Sequence, residues 1–158
     1  METATFAAGC FWGVEAAFRR VPGVTGTVVG YMGGTVDNAD YRQVCSGRTG
    51  HAEVVQVTFD PAKVTYRQLL AVFWASHDPT QMNRQGLDIG SQYRSAIFYH
   101  SPLQQTQALA SKQTEDASGR HPRRIVTEVT AAGPFWTAED DHQQYLEKRG
   151  RADAAGPS

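Results

Sequence analysis

Cys10 stands between Gly9 and the aromatic pair Phe11-Trp12, with Gly13 beyond, where a short apolar strand pattern passes into a helical one. A thiol at a helix start faces unpaired backbone N–H groups and the positive end of the helix dipole, and both favour thiolate. The flanking glycines let backbone or substrate approach closely. Two consecutive aromatics cannot both turn into the core from one side of a helix, so one of Phe11 and Trp12 is expected near the surface beside the sulfur. Together these features favour a reactive thiol over a buried structural cysteine. Glu53 falls in phase with Val55, Val57 and Phe59 on one strand face. A carboxyl losing hydration there has a raised pKa and can serve as a general acid near neutral pH; the alternative is a strand-end glutamate that reaches out to water. Asp88 and Tyr93 lie five apart across Gly90 at a loop-to-strand junction, and Tyr41 offers a phenol on an earlier loop. Such groups suit the holding of a polar oxygen or a water, although pattern alone favours loop capping by Asp88 and packing by Tyr93. Cys45, without a dipole or an aromatic pair, reads as structural. Its other role, resolving partner of Cys10, needs Cα atoms within ~7 Å. His51 is a candidate base without a fixed partner, more simply an exposed loop residue, and His77-Asp78 reads as turn chemistry.

Short strands alternating with helices must position these groups. Thr3–Ala7 reads as a first strand, and Phe11, Val14, Ala17, Phe18 and Val21 form a helical stripe ended by Pro22-Gly23. Val24–Tyr31 and Glu53–Phe59 are strand-like, separated by a polar segment, Thr35–Gly50, too long for a plain connector. Thr65 with Gln68 makes a capping box ahead of Leu69, Leu70, Val72 and Phe73. After a second long loop, His77–Gln92, come a strand at Arg94–Tyr99 and a polar helix opened by Ser101-Pro102 with Gln104. Arg124–Ala131 alternates as a strand, Thr137 is expected to cap a last helix through Lys148, and Arg151–Ser158 reads as a frayed tail after a single domain at 1–150. The alternation gives an α/β or α+β two-layer domain of unspecified strand order.

Composition narrows the function classes. The 158 residues suit one core, with 41% hydrophobic and 20% charged residues, and 15 Lys and Arg against 16 Asp and Glu leave a net charge of −1. No global field draws such a chain to nucleic acid or anionic membrane, and Arg120, Arg123 and Arg124 read as solvated. No apolar run reaches the ~18 residues of a membrane span. The first basic residue is Arg19, against a secretory leader, so a cytoplasmic setting is expected. Two cysteines make neither a disulfide framework nor a Cys-rich zinc site, and no phosphate loop, dinucleotide fingerprint or spaced metal set is present.

Taken together, Gly9-Cys10-Phe11-Trp12-Gly13, Gly30-Tyr31-Met32-Gly33-Gly34, the run from Cys45 to Glu53, His77-Asp78-Pro79-Thr80-Gln81, the run from Gln85 to Ser95 and His142-Gln143 resemble the A-type peptide methionine sulfoxide reductases. The match runs from about Gly9 to Tyr145. The resemblance implies an α+β two-layer sandwich in which a mixed β-sheet carries flanking helices. It implies Cys10 as nucleophile, Glu53 as the acid that protonates the sulfoxide oxygen, and Tyr41, Asp88 and Tyr93 as binders of that oxygen or of a water. Phe11 and Trp12 would cradle the substrate's S-methyl group, and the S epimer would be the one reduced. The chemistry is consistent with those residue types: sulfoxide sulfur is electrophilic but its oxygen leaves poorly, so thiolate attack must be coupled to protonation. The oxygen departs as water and Cys10 is left as a sulfenic acid. Family members serve protein repair under oxidative stress without a prosthetic cofactor. Many carry a resolving cysteine in a C-terminal tail, but Arg149–Ser158 has none. An external thiol is therefore expected, from thioredoxin, glutaredoxin with glutathione, or a small dithiol, acting on a monomer. Two rival readings are a cysteine hydrolase using His51 or His142, and a non-catalytic module that binds oxidised peptides through Phe11 and Trp12.

Overall fold

The computed structural model describes residues 1–148. Strands β1 (Glu2–Ala8), β2 (Val24–Met32), β3 (Ala52–Phe59), β6 (Ser95–Tyr99), β7 (Glu128–Ala131) and β8 (Trp136–Thr137) form one sheet, and β4 (Arg84–Gln85) with β5 (Asp88–Ile89) forms a separate hairpin. The large sheet runs β7-β6-β1-β3-β2-β8. Its pairs are antiparallel except β6 with β7, so the sheet is mixed. Period-two alternation divides its faces. Phe6, Val55, Val57 and Ile97 join a core with Phe11, Val14 and Phe18 of α1 (Phe11–Arg19), Leu69, Leu70 and Phe73 of α3 (Tyr66–Ala75) and Ala108 of α4 (Pro102–Ala117). Ala7, Met32, Val54, Ala96 and Phe98 face the other way and are covered by Ala132 and Phe135. The fold is the expected α+β sandwich of a mixed sheet with flanking helices.

Several boundaries follow from the local chemistry read in the sequence. Thr65 accepts from Gln68 N while the Gln68 side chain accepts from Thr65 N, closing the expected capping box, and Ser101 caps α4 by accepting from Gln104 N. Others differ. The expected strand Arg124–Ala131 shrinks to Glu128–Ala131, because Ile125 N donates to the Asp116 carboxylate and Val126 N to Pro79 O, which ties that backbone away from the ladder. The expected last helix from Thr137 does not form as such. Trp136 and Thr137 instead pair with Tyr31 and Gly30, and Ala138 N donates to Val29 O. Gln143 then replaces a strand: its side-chain amide accepts from Val29 N and donates to Val29 O, each at 2.9 Å. Helical backbone in that region is limited to a 3-10 turn at Asp140–His142 and one turn at 145–148. The polar segment Thr35–Gly50 holds a short helix, α2 (Tyr41–Cys45), with its own capping box between Asp40 and Gln43. The predicted tail Arg151–Ser158 lies outside the described residues.

One core residue breaks the rule that buried polar atoms find partners. The Tyr66 ring stacks on Phe6 in the core, yet its buried hydroxyl has no hydrogen-bond partner among the described residues. Tyr66→Phe removes that group without changing the ring, so it should stabilise the protein by about 1 kcal/mol. Chemical denaturation read at its midpoint measures the effect, and a lower midpoint would show that the hydroxyl contributes to stability.

Candidate active site

Cys10 occupies the N-cap position of α1, with Phe11 buried behind it and Trp12 half-buried at its side, the division expected of that aromatic pair. Gly9 holds φ at +97°, and a Cβ there would lie 2.6 Å from Cγ of Gln85, so the β4–β5 hairpin closes directly over the strand-to-helix turn. Glu53 enters from β3. Its carboxyl is buried and accepts the Phe11 N–H through Oε1 at 3.2 Å. The bond places the carboxyl at the same helix start that carries Cys10. Its other oxygen, Oε2, is buried with no partner among the described residues. Burial pushes the Glu53 carboxyl up to about 7, opposed by the Phe11 N–H and reinforced by the nearby Asp88 carboxylate. The glutamate does not reach out to water; its carboxyl is desolvated.

The thiol differs from expectation. The backbone N–H groups of Trp12 and Gly13 do pull Cys10 toward thiolate, as a helix start should. Burial outweighs them, and the Glu53 and Asp88 carboxylates add to it, so the thiol is pushed up to about 11. A dipole argument from sequence has no access to the two carboxylates that the fold brings in. At neutral pH these surroundings hold the sulfur as a thiol.

Tyr41, Tyr93 and Asp88 complete the cluster. Burial, then the neighbouring Cys45, pushes Tyr41 above the ordinary phenol value; burial, then Glu53, does the same for Tyr93, and both remain donors over the working range. Asp88 stands on the exposed β5. Its charge is felt at Cys10, Glu53 and Tyr93 alike. Cys45 ends α2, one turn from Tyr41, and hydrogen bonds from the Tyr41 and Tyr93 phenols partly offset the upward push that burial gives its thiol. The arrangement sets a thiol and a protonatable carboxyl at one helix start, with phenols and aromatic rings beside them, groups that could serve a two-electron attack on a polarised bond.

The family described as peptide methionine sulfoxide reductase matches residues 2–155. The chain belongs to the peptide methionine sulfoxide reductases. A relative named peptide methionine sulfoxide reductase MsrA, from Methanoculleus marisnigri, is 65% identical over 150 residues, spanning 95% of this chain and 92% of its own. Methionine sulfoxide reductase A of Corynebacterium diphtheriae superposes with a TM-score of 0.85 at 40% identity, covering 99% of this chain and 77% of its own. Mxr1 from Saccharomyces cerevisiae in reduced form gives 0.88 at 34% identity, covering 99% and 88%. Mxr1 has also been solved in complex with Trx2; that chain, 24% identical at a TM-score of 0.62 over 91% of this chain and 84% of its own, shows the shared fold.

The reductase is an oxidoreductase, and its remaining histidines fall into place around that chemistry. His51 is buried, not exposed: its Nδ1 accepts from Gly34 N at 2.9 Å and its Nε2 donates to Val36 O at 2.7 Å, so both nitrogens are committed to the loop after β2. His77 donates from Nδ1 to Phe73 O and pairs through Nε2 with Ser95, and burial holds it down to about 4. Asp78 caps Thr80 through N and Oγ1, as the turn reading expects. His142 accepts the Trp12 indole N–H at Nδ1. His51, with both ring nitrogens engaged, is not free to serve as the base of a cysteine hydrolase. Arg123 and Arg124 are exposed, and Arg120 pairs with Glu115 at the surface. No helix of the described residues is long and apolar enough to cross a membrane.

Sequence reading missed three contributors. Glu139 accepts from the Tyr31 hydroxyl at 3.0 Å and from Tyr41 N at 3.2 Å. Glu15, buried in α1, accepts from the Thr27 hydroxyl and from Gln144 N, both at 2.7 Å. His142 was read as part of the His142-Gln143 match and as a rival base, without its contact to Trp12. None of the three has a local signal, since each partner lies on another element. The capping box of α2, by contrast, was readable in Asp40-Tyr41-Arg42-Gln43 by the same rule that located α3.

Proposed function

We propose that this reductase acts on the S epimer of methionine sulfoxide, free or in peptides, by attack of the Cys10 sulfur with Glu53 as general acid. The observation that carries the reading is the shared helix start. Glu53 accepts from the residue next to Cys10 and keeps a buried, unpartnered oxygen, with its pKa at about 7. Cys10 Sγ forms a bond to the sulfoxide sulfur as Glu53 gives a proton to the departing oxygen. The sulfur–oxygen bond breaks, water attacks Cys10 Sγ, the new sulfur–sulfur bond breaks to release methionine, and Cys10 is left as a sulfenic acid. Atoms balance without net water: thiol plus sulfoxide gives sulfenic acid plus thioether, and the water that departs returns as the hydroxyl on sulfur. The thiol proton restores Glu53. Protonation of Glu53 also removes one of the charges that hold Cys10 as a thiol, so acid and nucleophile support each other. With substrate bound, the Tyr41 and Tyr93 hydroxyls turn from Cys45 to donate toward the oxygen, and Phe11 and Trp12 hold the methyl group; opposed polar and apolar sides select one epimer.

The sulfenic acid then meets an external thiol, which forms a disulfide with Cys10 and expels water. A thioredoxin-type protein is the first candidate, supported by the Trx2 complex of the yeast relative. A glutaredoxin with glutathione or a small dithiol supplies the same chemistry, and no prosthetic cofactor takes part. Incubating the reduced enzyme with each separated epimer of N-blocked methionine sulfoxide, without reductant, tests the scheme. The S epimer should yield one equivalent of methionine and a trappable sulfenic acid on Cys10 alone, with the R epimer inert. An unmodified Cys10 after product formation overturns the nucleophile, and a Cys10–Cys45 disulfide as the main product overturns the external-thiol step.

A further inference from the structure

The β4–β5 hairpin carries Asp88 to the site, yet little in its own construction can hold it there. Each strand has two residues, and a lone two-stranded ribbon is marginal in water. Leu87 and Ile89, on either side of Asp88, are 96% and 70% exposed, so no apolar packing fixes the aspartate. Within residues 82–89 only Gln85 is withdrawn from solvent, and it is half-buried. Its side-chain amide grips the Asp78 backbone twice, accepting from Asp78 N through Oε1 at 2.9 Å and donating through Nε2 to Asp78 O at 2.7 Å. Among the described residues, the other hydrogen bonds of 82–89 stay within 81–90. Asp78 is a firm anchor. Its carboxylate caps Thr80, and His77 before it bonds to Phe73 O of α3 and to Ser95 of β6. The methylenes of Gln85 rest on Gly9, where a Cβ would lie 2.6 Å from Cγ and 2.9 Å from Cβ.

We infer that Gln85 is a positioning residue, whose amide on Asp78 and seat on Gly9 hold Asp88 against the helix start of Cys10. Gln85 and Asp88 stand directly opposite each other in the antiparallel ladder, and opposed residues project from the same face. The face that rests on Gly9 is therefore the face that carries the Asp88 carboxylate. That direction agrees with the charge of Asp88 being felt at both Cys10 and Glu53. The charged groups that bear on Cys10 are Glu53 from β3 and Asp88 from β5, with the Tyr93 phenol arriving from a 3-10 turn at Ser91–Tyr93. Glu53 stands in the middle of the sheet and needs no further support. Asp88 stands on an exposed ribbon, and one carboxamide fixes its distance from the sulfur. The His77-Asp78 turn and the run beginning at Gln85 thereby share one task, which neither shows alone. That this placement serves sulfoxide reduction rests on the roles proposed above for Cys10 and Asp88.

A double-mutant cycle tests the proposal. Gln85→Met keeps methylenes on Gly9 and removes the amide, and water can take its place at the Asp78 backbone. Alkylation of Cys10 by iodoacetamide at pH 8, read by mass spectrometry of the Cys10 peptide, follows the thiolate fraction without any substrate. The Asp88 carboxylate opposes that thiolate, so Asp88→Asn should speed alkylation, and Gln85→Met should speed it about 2- to 10-fold by letting the charge withdraw. The two effects should not multiply. With Asp88→Asn already in place, Gln85→Met should add less than about 1.5-fold, because the charge it would release is gone. The break in kcat/KM near 7 should also move to lower pH in Gln85→Met, since Asp88 raises Glu53 as well. Unchanged alkylation in Gln85→Met overturns the inference, and so does unchanged alkylation in Asp88→Asn. Equal acceleration with and without Asp88 overturns it too, because the amide would then only shield the sulfur. If Gln85→Met does not fold, the same cycle with Gln85→Ala decides. Wild-type enzyme is assayed in parallel for the Cys10 sulfenic acid. Its absence counts against the proposed chemistry alone, since the alkylation cycle uses no sulfoxide, and a failed cycle beside a normal sulfenic acid counts against the positioning role alone.

Discussion

Cys10→Ser should abolish sulfoxide reduction, with a loss on the order of 10⁴- to 10⁶-fold in kcat, as when a covalent nucleophile is removed. The substitution is a clean one. Cys10 is an N-cap whose side chain makes no capping hydrogen bond, and serine is among the preferred residues there, so the helix should be as stable or slightly more so. A hydroxyl keeps the size and polarity of the position but neither ionises nor attacks sulfur at neutral pH. The phenols, Glu53 and the aromatic wall stay in place, and substrate should still bind. Binding by calorimetry beside turnover by product release separates the two properties. Turnover near the wild-type rate would remove Cys10 from the mechanism and make the site a binding module; lost binding would show that the sulfur also holds the substrate.

How much of this was legible in the sequence depended on whether each cause was local. Cys10 at a strand-to-helix junction is a matter of neighbouring residues, and so is Glu53 in phase with Val55, Val57 and Phe59; both readings hold in the fold. The cap at Thr65 is local and was readable, and the one at Asp40 was readable by the same rule although the segment looks like a loop. Trp136 and Thr137 follow another cause. They carry no alternating run of their own and become a strand because β2 offers an unpaired edge, which Gln143 then continues with a side chain. The ionisation of Cys10 failed for a related reason: the helix start acts as predicted, but burial and two carboxylates from β3 and β5 outweigh it. His51 looked free because its partners, Gly34 and Val36, sit on the opposite end of a loop. What the residues next door decide can be read; what a distant element supplies must be seen.

The acid gives the sharper prediction because it reverses sign between two measurements. Glu53→Gln keeps an acceptor for the Phe11 N–H but can no longer lend a proton, and reduction should slow on the order of 10²- to 10⁴-fold. The same change should make Cys10 more reactive toward a simple alkylating agent. The Glu53 carboxylate is one of the charges raising the thiol, so its removal lowers the pH at which Cys10 alkylates. Better nucleophile, slower enzyme: only loss of a proton donor produces both. The pH profile carries the same signature. In the free wild-type enzyme the Cys10–Glu53 pair loses its first proton at about 7 and its second at about 11. The reactive form holds one proton between the two groups. Accordingly kcat/KM should climb with pH up to about 7 and then level. In Glu53→Gln the break near 7 should vanish and the residual rate should keep climbing as thiolate accumulates. Full activity at neutral pH in the glutamine variant, or a break near 7 that survives in it, would assign the proton to another group.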